Sequence, residues 1–314
     1  MSVPEPPAAV RPGFGLARLT TVRTGGPAQF FARAGSLPEL QELLSWAKEM
    51  QLSISVVGSG SNLLVADEGV SGLVLKLDRA LALIEREQAG LVCGGGARLP
   101  SVAARAAQAG LAGIEFGVNI PGTVGGAVRM NANAYGGQLA PVLAWVEVVS
   151  EGGVQRRAPE ALGFAYRRSA LRPHEVVSGA RFALTPAEPD AVKAVLSDMR
   201  ARRRDAQPSG IKTFGSTFKN PADPRASGRS AGLLLSEAGC GGLSVGGARF
   251  SPKHANFIEN LGTATTTDVV AVMAEGRRRV QEQSGVALEA EVQTLGPVCF
   301  PWATSGPCSA AADR

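Results

Sequence analysis

The stretch from Gly113 to Gly137 constrains the fold most, because glycines recur in it every few residues and Pro121 fixes the entry to its centre. Glycine has no Cβ, so it adopts positive φ and lets the backbone approach a ligand closely. Successive N–H groups in such a turn form a concavity that binds anions. The stretch therefore predicts either a diphosphate-binding loop or, more simply, a tight connection between two elements.

A second glycine segment favours the first interpretation. Residues 53–57 (SISVV) read as a β-branched strand, and Gly58-Ser59-Gly60-Ser61-Asn62 follows at once. Leu63 and Leu64 replace the last glycine of a Rossmann fingerprint, and no Gly-Lys-Ser/Thr follows as in a P-loop. Two separate loops suit a long dinucleotide such as FAD. The predicted cofactor contacts are Gly58, Ser59, Gly60, Ser61, Asn62, Leu63, Pro121, Gly122, Thr123, Gly125, Gly126, Ala127 and Asn131.

Length and charge limit the other classes of function. A chain of 314 residues can form two or three domains, and 45% hydrophobic with 19% charged residues indicates a globular protein. The net charge of +5 would allow nucleic-acid binding, but aromatic residues make up only 5% of the chain. The densest basic cluster, Arg200 with Arg202–Arg204, reads as a solvated helix end. We therefore expect no nucleic-acid partner.

The four cysteines show no metal-ligand spacing, which argues against zinc and favours a reducing compartment. The first residues lack the pattern of a signal peptide, and no apolar run approaches the roughly 20 residues that cross a bilayer. These observations predict a cytoplasmic protein without a membrane partner. We expect a monomer.

The pattern of elements predicts an α+β protein. Residues 1–15 are rich in proline and are expected to be disordered. Residues 16–185, with subdomains of about 16–78 and 79–185, carry the glycine loops, and residues 186–296 follow a plausible junction. Individual signals are a Ser36/Glu39 capping box, helices near 190–204 and 267–283, and a strand over 286–295. Residues 297–314 have little pattern, and we expect an unpacked tail.

The two glycine segments resemble a known family when they are read at full length. VVGSGSNLLVADEGVSGLVLKL and IPGTVGGAVRMNANAYGG are similar to the UDP-N-acetylenolpyruvoylglucosamine reductase (MurB) family, and the resemblance extends from Leu19 to Gly296. It implies a vanillyl-alcohol-oxidase-like (PCMH-type) FAD-binding region followed by a substrate-binding C-terminal domain. The compact length resembles the shorter type of the family, which lacks an inserted substrate-covering loop.

Three further motifs have simple structural interpretations on their residue types alone. Tyr166-Arg167-Arg168-Ser169 could be surface charge, FGSTFKNP (214–221) a Ser/Thr turn, and LEAEV (288–292) an exposed strand face, since Glu289 and Glu291 are two apart. The resemblance implies Arg167, Ser216 and Glu291 as catalytic residues. It also implies Tyr166, Lys219 and Asn220 as substrate contacts.

The resemblance implies reduction of FAD by NADPH, then hydride transfer from flavin N5 to an enolpyruvyl UDP-sugar. Arg167 would stabilise the enolate, Glu291 would act on the same intermediate, and Ser216 would donate the proton. Neither glycine loop contains a histidine, so FAD is expected to bind noncovalently, and His254 is expected to be structural. Two alternatives stay open: an FAD oxidase or dehydrogenase for another substrate, and a catalytically inactive binding protein.

Three positions depart from the family pattern. Asn133 replaces the glycine of M-N-A-G-A-Y, Ser236 replaces a glutamate next to Glu237, and Gly241 replaces a common lysine. These departures bear on the contacts with the sugar nucleotide in the C-terminal domain more than on the catalytic residues.

Overall fold

The structure is a computed structural model and describes residues 4–303. These residues form two compact units, each built from separated segments of the chain. The first unit contains residues 4–13, Gln29–Ser59 and Ser71–Asp205. The second contains Phe14–Ala28, Gly60–Val70 and the residues from Ala206 onward. The units therefore do not follow the sequence-based division at 185/186.

The α-helices of the described range are Leu37–Glu49 (α1), Leu99–Gln108 (α2), Val124–Arg129 (α3), Pro189–Ala206 (α4), Ala231–Glu237 (α5) and Thr266–Ser284 (α6). The strands are Arg11–Gly15 (β1), Pro27–Ala34 (β2), Ile54–Val56 (β3), Leu63–Val65 (β4), Val70–Leu77 (β5), Ile84–Arg86 (β6), Gly90–Gly94 (β7), Leu111–Ala112 (β8), Asn133–Ala134 (β9), Gly137–Gln138 (β10), Leu143–Ser150 (β11), Gly153–Arg157 (β12), Val176–Ala183 (β13), Thr185–Pro186 (β14), Ser244–Val245 (β15), Ala248–Phe250 (β16), Ile258–Asn260 (β17) and Gln293–Leu295 (β18).

The first unit contains an antiparallel sheet in the order β12-β11-β13-β7-β6. Its inner face packs on α2 and on the segment around α3, with Leu91, Val146 and Phe182 buried in one hydrophobic cluster. A second sheet has the order β1-β2-β5-β3, and β3 runs parallel to β5. Helix α1 covers it with Leu40 and Leu43. The first glycine segment follows β3, whereas the central glycine loop lies between β8 and α3.

The second unit is organised by α6, which begins at a complete capping box. The Thr265 hydroxyl accepts from the Asp268 N–H (3.0 Å), and the Asp268 carboxylate accepts from the Thr265 N–H (3.0 Å). The helix ends at Gly285 with φ of +70°. Its buried face, with Val269 and Met273, packs into a cluster that also contains Phe218 and Phe250.

The capping box predicted for α1 is only half right. Ser36 accepts a hydrogen bond from the Glu39 N–H (3.3 Å), but the Glu39 carboxylate accepts from Gly35 (2.7 Å) rather than from Ser36. The predicted solvation of the basic cluster at the end of α4 is wrong for Arg203. Its guanidinium is partly buried and donates to the Asn119 carbonyl.

The prediction of disorder is wrong for Arg11–Gly15, which form β1. This strand lies at the edge of its sheet, where Pro12 needs no ladder partner for its missing N–H. The prediction of an unpacked tail is wrong for Phe300 and Trp302, which are half-buried against the core of the second unit. Residues 304–314 lie outside the described residues.

The strand predicted over 286–295 is shorter than expected because the segment changes partner. Ala290 pairs antiparallel with Phe218, whereas Gln293 pairs parallel with Leu63. The regular alternation is lost between the two pairings. Glu289 is exposed but Glu291 is buried, so the interpretation of this segment as an exposed strand face is wrong for Glu291.

No helix among the described residues is long and apolar enough to span a membrane.

Cys93 and Cys240 are buried free thiols, and burial raises the pKa of Cys93 to about 12, so that thiol is unreactive near neutral pH. Cys299 is disulfide-bonded, which the cysteine spacing gave no reason to expect.

Candidate active site

The central glycine loop of the first unit lies directly on a second glycine run, Gly94–Gly96. The Gly125 N–H donates to the Gly95 carbonyl (2.8 Å), and the Leu99 N–H donates to the Gly122 carbonyl (3.0 Å). A Cβ on Gly95 would lie 1.9 Å from the Val177 carbonyl oxygen. Only glycine allows this approach, so the loop, the run and β13 form one backbone-lined surface.

Gly58 of the first glycine segment is held against the central loop. A Cβ on Gly58 would lie 2.4 Å from Thr123 Oγ1. The Thr123 hydroxyl also caps α3 by accepting from the Gly126 N–H (3.4 Å). On the other side, Lys76 Nζ donates to the Gly58 carbonyl (2.5 Å). Burial, and then the nearby Arg33, lower the pKa of Lys76 below its ordinary value.

A cleft opens along these contacts within the first unit. Four of the sequence-predicted cofactor residues line it: Gly58, Thr123, Gly125 and Gly126. The sequence analysis missed several others, which are Gly95, Gly96, Arg129, Glu175, Val176 and Val177. The three consecutive glycines after β7 were the available signal for Gly95 and Gly96. Nothing local marked Arg129 or Glu175.

Arg129 and Glu175 anchor α3 to the start of β13. The Arg129 guanidinium donates to the carbonyls of Leu171 (3.4 Å), Arg172 (3.1 Å) and Glu175 (2.7 Å). The buried Glu175 carboxylate accepts from Arg157 (2.6 Å) and from the Arg172 N–H (2.8 Å). The hydrogen bond from Arg157 is the main cause that lowers the pKa of Glu175, so this carboxylate stays ionised at neutral pH.

The other predicted cofactor residues have different surroundings. Ala127 lies in the hydrophobic core, and Leu63 begins β4. Gly60 has φ of +62°, and its carbonyl accepts from the Thr21 N–H (3.0 Å). All thirteen predicted residues stay predictions as cofactor contacts.

Arg167 lies in a tight turn with unusual backbone geometry. Ala165 and Arg168 exchange two backbone hydrogen bonds (3.0 and 3.1 Å), and Arg167 has φ of +57° between them. A left-handed conformation is uncommon for a residue other than glycine and concentrates at functional sites. Arg167 therefore differs from Arg168 in backbone conformation, and its functional role stays a prediction. Tyr166 is exposed, with the Arg167 guanidinium 5.6 Å from its ring centroid.

Asn131 connects the central loop to this turn. Its Nδ2 donates to the Ala165 carbonyl (3.2 Å), while its buried Oδ1 has no hydrogen-bond partner among the described residues. Asn131 also has φ of +41°, which asparagine tolerates better than most residues. A buried, unsatisfied oxygen indicates a missing donor, such as one from a bound ligand.

Ser216 lies on an extended segment in the second unit that is held on both sides. The Thr217 N–H donates to the Asn256 carbonyl (2.8 Å), and the Glu291 N–H donates to the Thr217 carbonyl (2.9 Å). The Lys219 N–H donates to the Glu289 carbonyl (2.9 Å). We call residues 215–219 together with 288–292 the serine–glutamate ribbon. It places Glu291 across one backbone hydrogen bond from the residue that follows Ser216.

Glu291 is 8% exposed, which argues against the interpretation as an exposed strand face. Asn62 of the first glycine segment reaches the same strand. Its Nδ2 donates to the Glu291 carbonyl (3.3 Å), and its own carbonyl accepts from the Gln293 N–H (3.2 Å). Asn62 therefore supports the backbone of Glu291, a contact that the sequence did not reveal.

The predicted substrate contacts of this unit lie next to the ribbon. Lys219 forms an exposed ion pair with Glu289 (3.2 Å), and Asn220 Oδ1 accepts from the Ala231 N–H (3.1 Å) at the start of α5. Ser236 is exposed on α5, and its neighbour Glu237 pairs with Arg229 (2.9 Å). A side chain at Gly241 would meet nothing closer than 4.0 Å.

The departure at Asn133 leaves the local turn intact. Asn133 lies in β9, and the turn to β10 is made by Tyr135 and Gly136 with φ of +51° and +80°. Positive φ at both central residues is the geometry of a tight hairpin turn. Since Asn133 itself does not require positive φ, it replaces glycine there without backbone strain.

His254 has a structural environment. It accepts a hydrogen bond from the Asn256 N–H (3.3 Å) and meets the Phe257 ring edge-on at 4.9 Å, and burial lowers its pKa.

Within residues 4–303, no group of histidine, cysteine, aspartate or glutamate side chains could hold a metal ion.

The first unit thus has a cleft lined by closely approaching glycines and a capping threonine. Outside this lining, the same unit contains the buried amide oxygen of Asn131, which has no partner among the described residues. These features fit a dinucleotide whose phosphates bind backbone N–H groups. A family model described as an FAD binding domain matches residues 28–158, which include both glycine segments. The fold and the cleft define an FAD-binding flavoprotein.

A second family model, "UDP-N-acetylenolpyruvoylglucosamine reductase, C-terminal domain", matches residues 207–295, which contain the serine–glutamate ribbon. UDP-N-acetylenolpyruvoylglucosamine reductase 2 of Symbiobacterium thermophilum is 42% identical over 303 residues, covering 96% of each chain. The reductase of Acidiphilium cryptum is 41% identical over 285 residues, covering 90% of each. The crystal structure of the enzyme from Thermus caldophilus superposes with a TM-score of 0.78 at 37% identity, covering 91% of this chain and 98% of that one.

The chain therefore belongs to the UDP-N-acetylenolpyruvoylglucosamine reductase family. This confirms the predicted family and the predicted fold class, an FAD-binding region followed by an α+β C-terminal domain.

Proposed function

We propose that this chain reduces UDP-N-acetylglucosamine enolpyruvate to UDP-N-acetylmuramate with NADPH, through noncovalently bound FAD. The serine–glutamate ribbon carries this proposal. It lies within the part of the chain that matches the reductase C-terminal domain, and it joins Glu291 to the residue after Ser216 by a 2.9 Å hydrogen bond.

Bound FAD would supply the hydride that it receives from NADPH. Hydride addition to the outer carbon of the enolpyruvyl group moves negative charge onto its carboxylate. Arg167 suits this charge, because a guanidinium is always protonated and binds a carboxylate through two parallel hydrogen bonds. A preorganised cation of this kind stabilises charge that develops in the transition state.

The inner carbon of the substrate must then receive a proton. We assign this step to the Ser216 hydroxyl, since a serine without a basic partner is a poor nucleophile but can protonate a strongly basic carbanion. The role of Glu291 is proposed from the match of LEAEV (288–292) to the family's L-E-x-E-V motif, and this glutamate is buried. Tyr166, Lys219 and Asn220 are proposed substrate contacts.

Both proposed reactants, NADPH and the UDP-sugar, are soluble and anionic. We therefore propose a cytoplasmic enzyme that acts as a monomer and engages neither a membrane nor a nucleic acid.

The test is Ser216→Ala, followed by stopped-flow flavin absorbance for each half-reaction. Reduction of FAD by NADPH should stay near normal, since it involves no carbanion. Reoxidation by the enolpyruvyl substrate should slow by about 10²–10⁴-fold, as for a lost general acid. Ser216→Cys should recover part of the rate, because a thiol can also donate a proton.

Ser244→Ala is the matched control, because Ser244 lies in the same unit and its hydroxyl only donates to Gly242 (3.2 Å). If Ser216→Ala slows both half-reactions equally, Ser216 is a structural turn residue. Failure of the enolpyruvyl sugar to reoxidise the wild-type flavin would instead favour an FAD oxidase for another substrate or an inactive binding protein.

A further inference from the structure

Trp302 lies beyond the segment that matches the reductase C-terminal domain, which ends at residue 295. Its ring nevertheless packs against the second unit, 6.4 Å from the ring of Phe218 and inclined by 46°. Phe300 stacks on Trp302 at 4.9 Å with an angle of 21°. These centroid distances lie in the range where aromatic pairs attract each other.

Phe218 is the fully buried centre of the serine–glutamate ribbon. Its N–H donates to Asn256 Oδ1 (2.9 Å), and its carbonyl accepts from Asn256 Nδ2 (2.9 Å). It also pairs with Ala290, the residue before Glu291. A shift of the Phe218 ring would therefore move the backbone next to both Ser216 and Glu291.

Arg277 connects the same tryptophan to the other strand of the ribbon. Its guanidinium carbon lies 5.5 Å from the Trp302 ring centroid, a cation–π distance. Its Nε donates to the Leu288 carbonyl (3.0 Å), three residues before Glu291. Trp302 thus contacts one residue on each side of the ribbon. Phe218 belongs to segment 215–219, and Arg277 holds segment 288–292 through the Leu288 carbonyl.

We propose that Trp302 is a positioning residue that fixes the serine–glutamate ribbon for proton delivery. This inference rests on the proposed role of Ser216. Removing the indole would leave a void beside Phe218 that the surrounding residues can fill only by moving. A displacement of about 1 Å can cost a reaction roughly 10²-fold when a group must be held in line.

The test compares Trp302→Ala with Trp302→Phe in the full-length protein loaded with FAD. We expect Trp302→Ala to slow reoxidation by the enolpyruvyl sugar by about 10–100-fold, with reduction by NADPH changed less than about twofold. Trp302→Phe keeps a ring over Phe218 and should recover most of the rate. A second readout is amide hydrogen exchange of the peptide 214–221, which should become faster in Trp302→Ala.

Trp145→Ala is the matched control, because Trp145 is also half-buried and has an arginine, Arg156, 4.2 Å over its ring, but it lies in the first unit. It should leave exchange of 214–221 unchanged. Unchanged reoxidation and exchange in Trp302→Ala would overturn the inference, as would equal slowing of both half-reactions. If Ser216→Ala slows reoxidation while Trp302→Ala does not, only this inference fails. If Ser216→Ala has no effect, the proton-donor role of Ser216 fails and this inference fails with it, whereas the proposed function fails only if the enolpyruvyl sugar does not reoxidise the wild-type flavin.

Discussion

Asn131 and Ala165 are joined by a side-chain hydrogen bond of 3.2 Å, from Asn131 Nδ2 to the Ala165 carbonyl. Ala165 is the first residue of the turn that holds Arg167 at φ of +57°. The end of the central glycine loop therefore fixes the start of the turn that carries the candidate cation.

Asn131→Asp tests this connection, because a carboxylate cannot donate to the Ala165 carbonyl. Leaving a buried acceptor unpaired costs about 1–3 kcal/mol, so we expect substrate-driven flavin reoxidation to slow roughly tenfold or more. Asn131→Gly is a second variant without the donor. Because glycine accepts φ of +41°, its backbone is unstrained, and we expect it to slow reoxidation by a similar factor. Stopped-flow absorbance measures the rate. Loss of bound flavin with a normal rate per flavin would show instead that Asn131 acts as a cofactor contact.

Arg167→Lys should keep FAD and folding but slow reoxidation of the reduced flavin by substrate. An ammonium is a point charge and cannot replace a bidentate guanidinium, and one lost preorganised contact typically costs about 10²–10³-fold in rate. Arg168→Lys is the matched control, one residue along the same turn, and should be near normal. A normal rate in Arg167→Lys together with slow reoxidation in Arg168→Lys would make Arg168 the functional arginine.

Gly58→Ala should reduce FAD binding strongly, because the new Cβ would lie 2.4 Å from Thr123 Oγ1. Gly152→Ala is the control, because it adds the same methyl group in the first unit away from this cleft, where the nearest atom would be 3.7 Å away. It should retain flavin. The ratio of absorbance at 450 and 280 nm after purification reports flavin content. Full flavin occupancy in Gly58→Ala would contradict the packing of this cleft.

FAD should leave the protein completely on acid precipitation. The two glycine segments contain no histidine, and His254 is engaged with Asn256 and Phe257. All flavin should appear in the supernatant, where its fluorescence is measured. Yellow colour retained in the washed pellet would demonstrate a covalent bond.

Glu175→Gln should lower the stability at neutral pH. In the folded protein the hydrogen bond from Arg157 lowers the pKa of Glu175 below its ordinary value of 4.5, so its stabilisation is present above that value and is lost as the pH falls through the folded pKa. Breaking a buried ion pair costs about 3–5 kcal/mol, and less here since the Arg157 side chain remains 24% exposed.

Thermal unfolding followed from pH 7 to pH 3 should show a difference between wild type and Glu175→Gln that shrinks below about pH 4.5. Glu151→Gln is the control, because its pair with Lys48 is exposed on both sides and is worth at most about 1 kcal/mol. If the difference in thermal stability between wild type and Glu175→Gln stays constant down to pH 3, the ionised Glu175 carboxylate does not stabilise the fold.

The sequence predicted the elements that depend on local signals. The helices predicted near 190–204 and 267–283 are observed as α4 and α6. The glycine segments were recognisable because glycine is required wherever backbones approach closely. Contacts between residues distant in sequence could not be predicted in this way. The support of Glu291 by Asn62 joins residues 229 positions apart, and nothing in either local sequence marks it.

The same limit explains the wrong predictions. Residues 286–295 have the composition of one strand, but their partner changes from Phe218 to β4, which local sequence does not encode. Pro12 suggested disorder, although an edge strand accepts proline. Trp302 looked like part of a patternless tail, because aromatic packing against Phe218 has no periodic signature.

The division of the second unit among three segments has a consequence for synthesis of the chain. Strand β4 is complete once residue 65 has been made, but its partner β18 is formed only by Gln293–Leu295. The early segments Phe14–Ala28 and Gly60–Val70 therefore lack this partner strand while more than two hundred further residues leave the ribosome. Closing so long a loop is slow, and apolar residues such as Val22 and Leu64 are exposed in the meantime. Chaperone dependence during translation should consequently centre on these two short segments rather than on the late-emerging helices.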